Sequence, residues 1–161
     1  MRKLWLLLGL YLMLANWGIA LADEGPAIRD ERMAGRARGP YVQELQKACD
    51  AKDYAGIVRA AERGLAAEPG NADFHNMFAF GHRNLPNPDM ALVFMHYNRA
   101  LQFDPFHIGA HEYLGEAYLM SGNLGKAKEH LERVWLACQM KCPEYLKLEK
   151  AIQQFEAKGP K

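Results

Sequence analysis

The sequence predicts an all-α chain built from repeated helical hairpins, and three observations carry that expectation. Residues 108–134 place His111, Leu114, Gly115 and Tyr118 at helical spacing before a Gly122-Asn123 turn, with Ala127 and Leu131 at helical spacing after it. Gly81 and Gly115 stand 34 residues apart, and a small residue at such a position lets two helices approach closely. Pro143–Ala157 gathers Tyr145, Leu148, Ile152 and Phe155 on one helical stripe and Lys147, Lys150, Gln153 and Glu156 on the other.

Residues 1–22 read as a leader rather than part of the fold. Arg2 and Lys3 form a positive head, Leu4–Leu14 is almost wholly apolar, and Ala20-Leu21-Ala22 supplies a small–x–small cleavage pattern. Asn16 and Gly18 interrupt the apolar run, which is short for a membrane span. Cleavage after Ala22 releases an exported chain that begins at Asp23, with no stable membrane insertion thereafter. The segment 23–39 mixes Arg29, Arg32, Arg36 and Arg38 with Asp30, Glu31, Gly35 and Gly39, the composition of a flexible N-terminal tail. The whole chain of 161 residues holds 20 basic and 19 acidic side chains. Arg2 and Lys3 leave with the leader, so the mature chain is near neutral and lacks the basic footprint of a nucleic-acid binder.

The helices follow in order. Tyr41–Asp50 pairs with a helix that opens at Asp53-Tyr54, runs through Ile57, Ala61 and Leu65, and stops at Glu68-Pro69-Gly70-Asn71. A second hairpin spans about 71–105. Met77, Phe80 and Gly81 lie on its first helix, Pro86-Asn87-Pro88 in its turn, and Tyr97 and Ala100 on its second helix, which Asp104-Pro105 ends. The third hairpin covers 107–138. Its residues resemble a tetratricopeptide repeat, in which W-x-x-L-G-x-x-Y is followed by A-x-x-x-F, with His111 here in the aromatic slot. Aligning Gly81 with Gly115 puts two extra residues between the first two hairpins, expected as an added turn at Gly70–Asp73. The resemblance implies a helix-turn-helix solenoid of three hairpins (about 40–69, 71–105 and 107–138), curved into a short right-handed superhelix. The helix 143–157 then covers the open end of the stack as its cap.

The same resemblance implies a concave groove lined by the first helix of each hairpin. In this register the lining stripes are Val42, Gln46 and Cys49, then His75, Phe78 and His82, then Glu112, Glu116 and Leu119. Their mixed character suits an extended peptide or a helix that docks by a few apolar anchors and hydrogen bonds. The expected partner is thus a protein or peptide. The chain is similar to small tetratricopeptide proteins of the bacterial periplasm that serve as adaptors for envelope complexes.

Cys138 and Cys142 flank the closing turn of the third hairpin, and in an oxidising compartment a pair this close forms a disulfide. So short a loop gains only about 2 kcal/mol from closure. Cys49 is left over. The competing reading of the segment is a soft-metal site, since Cys138-x-Met140-x-Cys142 offers three sulfur ligands suited to Cu(I). His107 and His111, four apart with Glu112 next, are a second candidate pair of metal ligands. No Gly-rich phosphate loop, Gly-x-Ser-x-Gly elbow, His-Glu-x-x-His or Cys-x-x-Cys motif is present, so neither an enzyme nor a bound cofactor is expected.

Overall fold

The computed structural model describes residues 40–159; the expected leader and tail, 1–22 and 23–39, lie outside the described residues. Seven helices follow one another among these residues: α1 (Pro40–Asp50), α2 (Tyr54–Ala67), α3 (Ala72–Arg83), α4 (Met90–Phe103), α5 (Ile108–Met120), α6 (Leu124–Cys138) and α7 (Pro143–Lys158). No helix among them is long and apolar enough to cross a membrane.

The starts of α2 to α6 are set by side chains that take up orphan backbone N–H groups. Asp53 Oδ1 accepts from Gly56 N at 2.8 Å. Asn71 Oδ1 accepts from Asp73 N at 3.0 Å. Asp89 Oδ1 accepts from Ala91 N at 3.0 Å, and Asn123 Oδ1 from Lys126 N at 3.0 Å. Histidine caps α5, with His107 Nδ1 accepting from Ala110 N at 3.1 Å. Pro143 starts α7 from its first turn, where a missing N–H costs nothing. The turn before α6 uses Gly122 at φ 76°, and Lys52 occupies the equivalent left-handed position before α2 at φ 52°.

These caps define the repeat register. From the cap of each second helix to the cap of the next first helix is 18 residues, Asp53 to Asn71 and Asp89 to His107 alike. The second hairpin runs 18 residues from Asn71 to Asp89, whereas the third runs 16 from His107 to Asn123. The two extra residues therefore lie in the α3–α4 turn, 84–89, and not at the expected Gly70–Asp73 turn, where α3 begins at once. Gly115 accordingly corresponds to Ala79 and not to Gly81.

Each hairpin closes on itself, and each second helix also packs on the first helix of the following hairpin. One core runs from α1 to α5 through Leu45, Ile57, Phe74, Val93, Tyr97 and Leu114. A second joins α6 to α7 through Ala127, Val134, Leu148 and Ile152. Each of the Val, Leu, Ile and Phe side chains contributes about 1.5–3 kcal/mol by leaving water. Helix α7 lies against both α5 and α6, seated where Gly115 leaves room: a Cβ on Gly115 would stand 2.6 Å from Leu148 Cδ2. Gly81 fills a different contact, toward α2, where an added Cβ would meet Val58 Cγ2 at 2.8 Å and Tyr54 O at 3.0 Å.

Candidate functional site

The first helices α1, α3 and α5 form the row on which a tetratricopeptide groove would be built. Of the stripe expected on α5, Glu112, Glu116 and Leu119, it is Glu116 that reaches toward α3. Glu116 Oε2 accepts from Arg83 Nη2 of α3 at 2.6 Å. Arg83 Nη1 also donates to Tyr113 O at 3.4 Å, and its guanidinium lies over the Phe80 and Tyr113 rings. Glu112 is buried, with Glu144 and Lys147 of α7 among the charges that act on it. Burial, and next the neighbouring Glu116, push its carboxyl up to about 8. Leu119 is half-buried against the α6–α7 core.

On α1, Gln46 is exposed and donates to Asp50 Oδ1 at 2.7 Å. Val42 is half-buried against the first core. Cys49 is buried, and desolvation followed by the charge of Asp50 pushes its thiol up to about 11. Such a thiol is protonated and shielded at neutral pH, so it offers neither a contact surface nor a nucleophile.

The α3 stripe is the one the register corrects. In the 36-residue register Asn76, Phe80 and Arg83 correspond to Glu112, Glu116 and Leu119, and all three are buried. His75, Phe78 and His82 instead turn toward α4. Phe78 stacks on the His96 ring at 4.0 Å and lies 4.6 Å from His82. His75 Nδ1 sits 3.0 Å from His96 Nδ1, and its Nε2 3.0 Å from Pro69 O.

The third hairpin repeats this arrangement. His111 Nδ1 is 2.9 Å from His130 Nδ1 on α6, and its Nε2 is 3.1 Å from Pro105 O. His111 thus fills the aromatic slot with a hydrogen-bonded ring. His107 is spoken for as well, since its Nε2 donates to Asp73 Oδ1 at 3.1 Å while its Nδ1 caps α5. The expected His107–His111 ligand pair is therefore divided between two separate tasks. Among the described residues, no group of three or more His, Cys, Asp and Glu side chains is placed to share a metal ion. The Cys138 and Cys142 side chains face each other with Cα atoms 6.1 Å apart, and Met140 beside them is exposed.

His96, His130, Asn76 and Arg83 had no assigned part in the groove or its support from sequence. One signal marks them. Pro69 to Pro105 and His75 to His111 are both 36 residues, while His96 to His130 is 34. The pattern is that of two hairpins differing by a two-residue turn.

No protein-family model matches the sequence, and no curated protein matches it. Solved structures do. The first TPR of Spaghetti (RPAP3), bound to the HSP90 peptide SRMEEVD, superposes with a TM-score of 0.61 at 20% identity, covering 72% of this chain and 90% of that one. The first TPR domain of human RPAP3, determined by NMR, gives 0.60 at 20% identity, over 73% of this chain and 93% of that one. At this identity the likeness defines the fold. The described residues form an all-α helical-repeat solenoid with a tetratricopeptide-like fold.

Proposed function

We propose that this chain is an exported protein-interaction module, an adaptor that takes a peptide or helix of an envelope protein along the row of α1, α3 and α5. The observation that carries this reading is the match of nearly a whole TPR domain, one that holds a bound peptide. The row also offers the mixed surface that peptide recognition uses, with exposed Gln46 and Met120 beside half-buried Val42, Glu116 and Leu119. The leader pattern at 1–22 supports export, and export supports a Cys138–Cys142 disulfide that ties the end of α6 to the start of α7. A binding role is also supported by the buried thiol of Cys49 and by the pairing of His75 with His96 and of His111 with His130 among the described residues.

The test is a crosslinking pull-down from the envelope fraction of the source cell, comparing wild type with Gln46→Arg/Met120→Glu. Both positions are exposed, so the variant keeps its helicity. A specific partner captured by wild type and lost by the variant supports the reading. A partner captured equally by both moves the site off the row, and no specific partner sinks the adaptor assignment.

A further inference from the structure

The His75–His96 and His111–His130 couples are built alike, and their chemistry limits what protons they can hold. A carbonyl oxygen only accepts, so His75 Nε2 carries the hydrogen that it donates to Pro69 O. In the neutral ring Nδ1 is then bare, and His96 Nδ1–H must donate to it across 3.0 Å. The same logic fixes His111 on Pro105 O and His130 as donor across 2.9 Å. One added proton is tolerated, because the two Nδ1 atoms then still share a single hydrogen. A second proton puts two N–H groups and two positive charges face to face, and the contact cannot survive.

We propose that the two couples form an acid latch, which holds α3 to α4 and α5 to α6 at neutral pH and opens both hairpins when each couple takes its second proton. His75 and His111 sit on the helices of the proposed groove, so opening would also dismantle that groove and release its occupant. This last consequence rests on the adaptor reading; the latch itself does not.

The surroundings favour the uncharged couples. Burial first, then the facing histidine, lowers His96 to about 4, with His82 of α3 and Arg99 of α4 adding to the effect. Burial and then His111 likewise lower His130 to about 4, with Lys126 and Arg133 of α6 acting in the same direction and Glu129 opposing. His75 and His111 are lowered chiefly by burial, against the Pro69 and Pro105 carbonyls. Arg99 also faces His75, while Arg133, His107 and Asp104 face His111. For a base whose folded pKa lies below its unfolded value near 6.5, the unfolded chain binds more protons in between. Stability is therefore complete above pH 6.5 and is lost as pH falls toward about 4.

Glutamine can donate to a bare Nδ1 or accept from a protonated one, so His96→Gln/His130→Gln keeps both contacts at every pH and removes the second protonation. The experiment is acid unfolding followed by near-UV circular dichroism, with no partner present. The double variant should unfold at a pH lower by about one unit or more than wild type. Equal midpoints would overturn the latch. Should the double variant not fold, imidazole nitrogen NMR of the wild type decides. Nε2–H tautomers at His75 and His111 at pH 7.5, with all four rings becoming imidazolium as tertiary dispersion collapses, support the latch. Four imidazolium rings in a chain that keeps its dispersion overturn it. Loss of the partner reading by pull-down leaves both readouts untouched.

Discussion

Arg83 and Glu116 form an ion pair between the second and third hairpins, with Nη2 and Oε2 2.6 Å apart and the guanidinium side chain only 6% exposed. It is a direct polar tie between α3 and α5, beside the Asp73–His107 bond at the start of α5. The pair reports on how the first helices are held in line, because Arg83 also reaches the Tyr113 carbonyl.

Glu116→Gln should therefore cost at least as much as Arg83→Met. Glutamine keeps an acceptor for the guanidinium but leaves that cation, only 6% exposed, without its counter-charge, and breaking a buried pair from that side costs about 3 kcal/mol or more. Methionine strands Glu116 beside buried Glu112, but Glu116 is 29% exposed, so water softens the loss and the lower end of that range, about 3 kcal/mol, is expected. Urea unfolding of both variants checks the order; no cost in either variant would mean that the pair is structurally idle.

The two glycines of the 34-residue spacing should respond unequally to alanine. At Gly81 the new methyl meets backbone at Tyr54 O as well as Val58, and backbone cannot yield. Gly81→Ala is expected to cost about 2–3 kcal/mol through overpacking. At Gly115 the obstacle is the Leu148 side chain, fully buried, with Cδ2 at 2.6 Å and Cγ at 3.3 Å, so Gly115→Ala should cost about 1–3 kcal/mol. It should also weaken the seat of α7 selectively. Amide exchange resolves this: Gly115→Ala should raise exchange in α7 before α3, and the reverse order would refute the packing assignment.

Glu112 should make the fold less stable in alkali. Its folded pKa, about 8, stands above the ordinary carboxylate value of 4.5, so the native chain holds a proton that the unfolded chain has lost. That contribution is complete below pH 4.5 and disappears as pH rises through 8. Glu112→Gln, a permanent stand-in for the protonated acid, should match wild type near pH 5 and melt higher by about 5 °C or more at pH 8.5. A melting difference that does not change with pH would show that Glu112 is ionised in the fold throughout.

Thiol counting separates the three cysteines. Native, unreduced protein should show no reactive thiol, because Cys49 is 3% exposed with its pKa pushed up to about 11. In denaturant one thiol should appear, and three after reduction. Three thiols before reduction would remove the disulfide.

The hairpins and the closing helix were legible because each is a local pattern: a 3.6-residue stripe, a turn, a proline stop. The groove row of α3 was not, and the cause is a matter of two residues. Gly81 and Gly115 share the familiar spacing, yet they serve different neighbours, α2 for one and α7 for the other. Placing the surplus residues before α3 instead of after it rotates the reading of that helix by about half a turn, given 100° per residue. Phe78 and His82 then appear to face outward when they in fact pack toward α4. The prolines held the better ruler, since Pro69 and Pro105 each sit six residues before a paired histidine. The histidine couples themselves were beyond local reading, because they join residues 21 and 19 apart in sequence.

The Pro69 and Pro105 carbonyls belong to the connections between one hairpin and the next, while the rings that donate to them belong to the hairpin that follows. Those bonds therefore count toward the coupling between neighbours in a linear array, and not toward the intrinsic stability of any unit. Together with the Asp73–His107 bond, they give each hairpin a stake in its predecessor's turn. A short array with strong coupling of this kind melts as one body, because no boundary between folded and unfolded hairpins is cheap enough to persist.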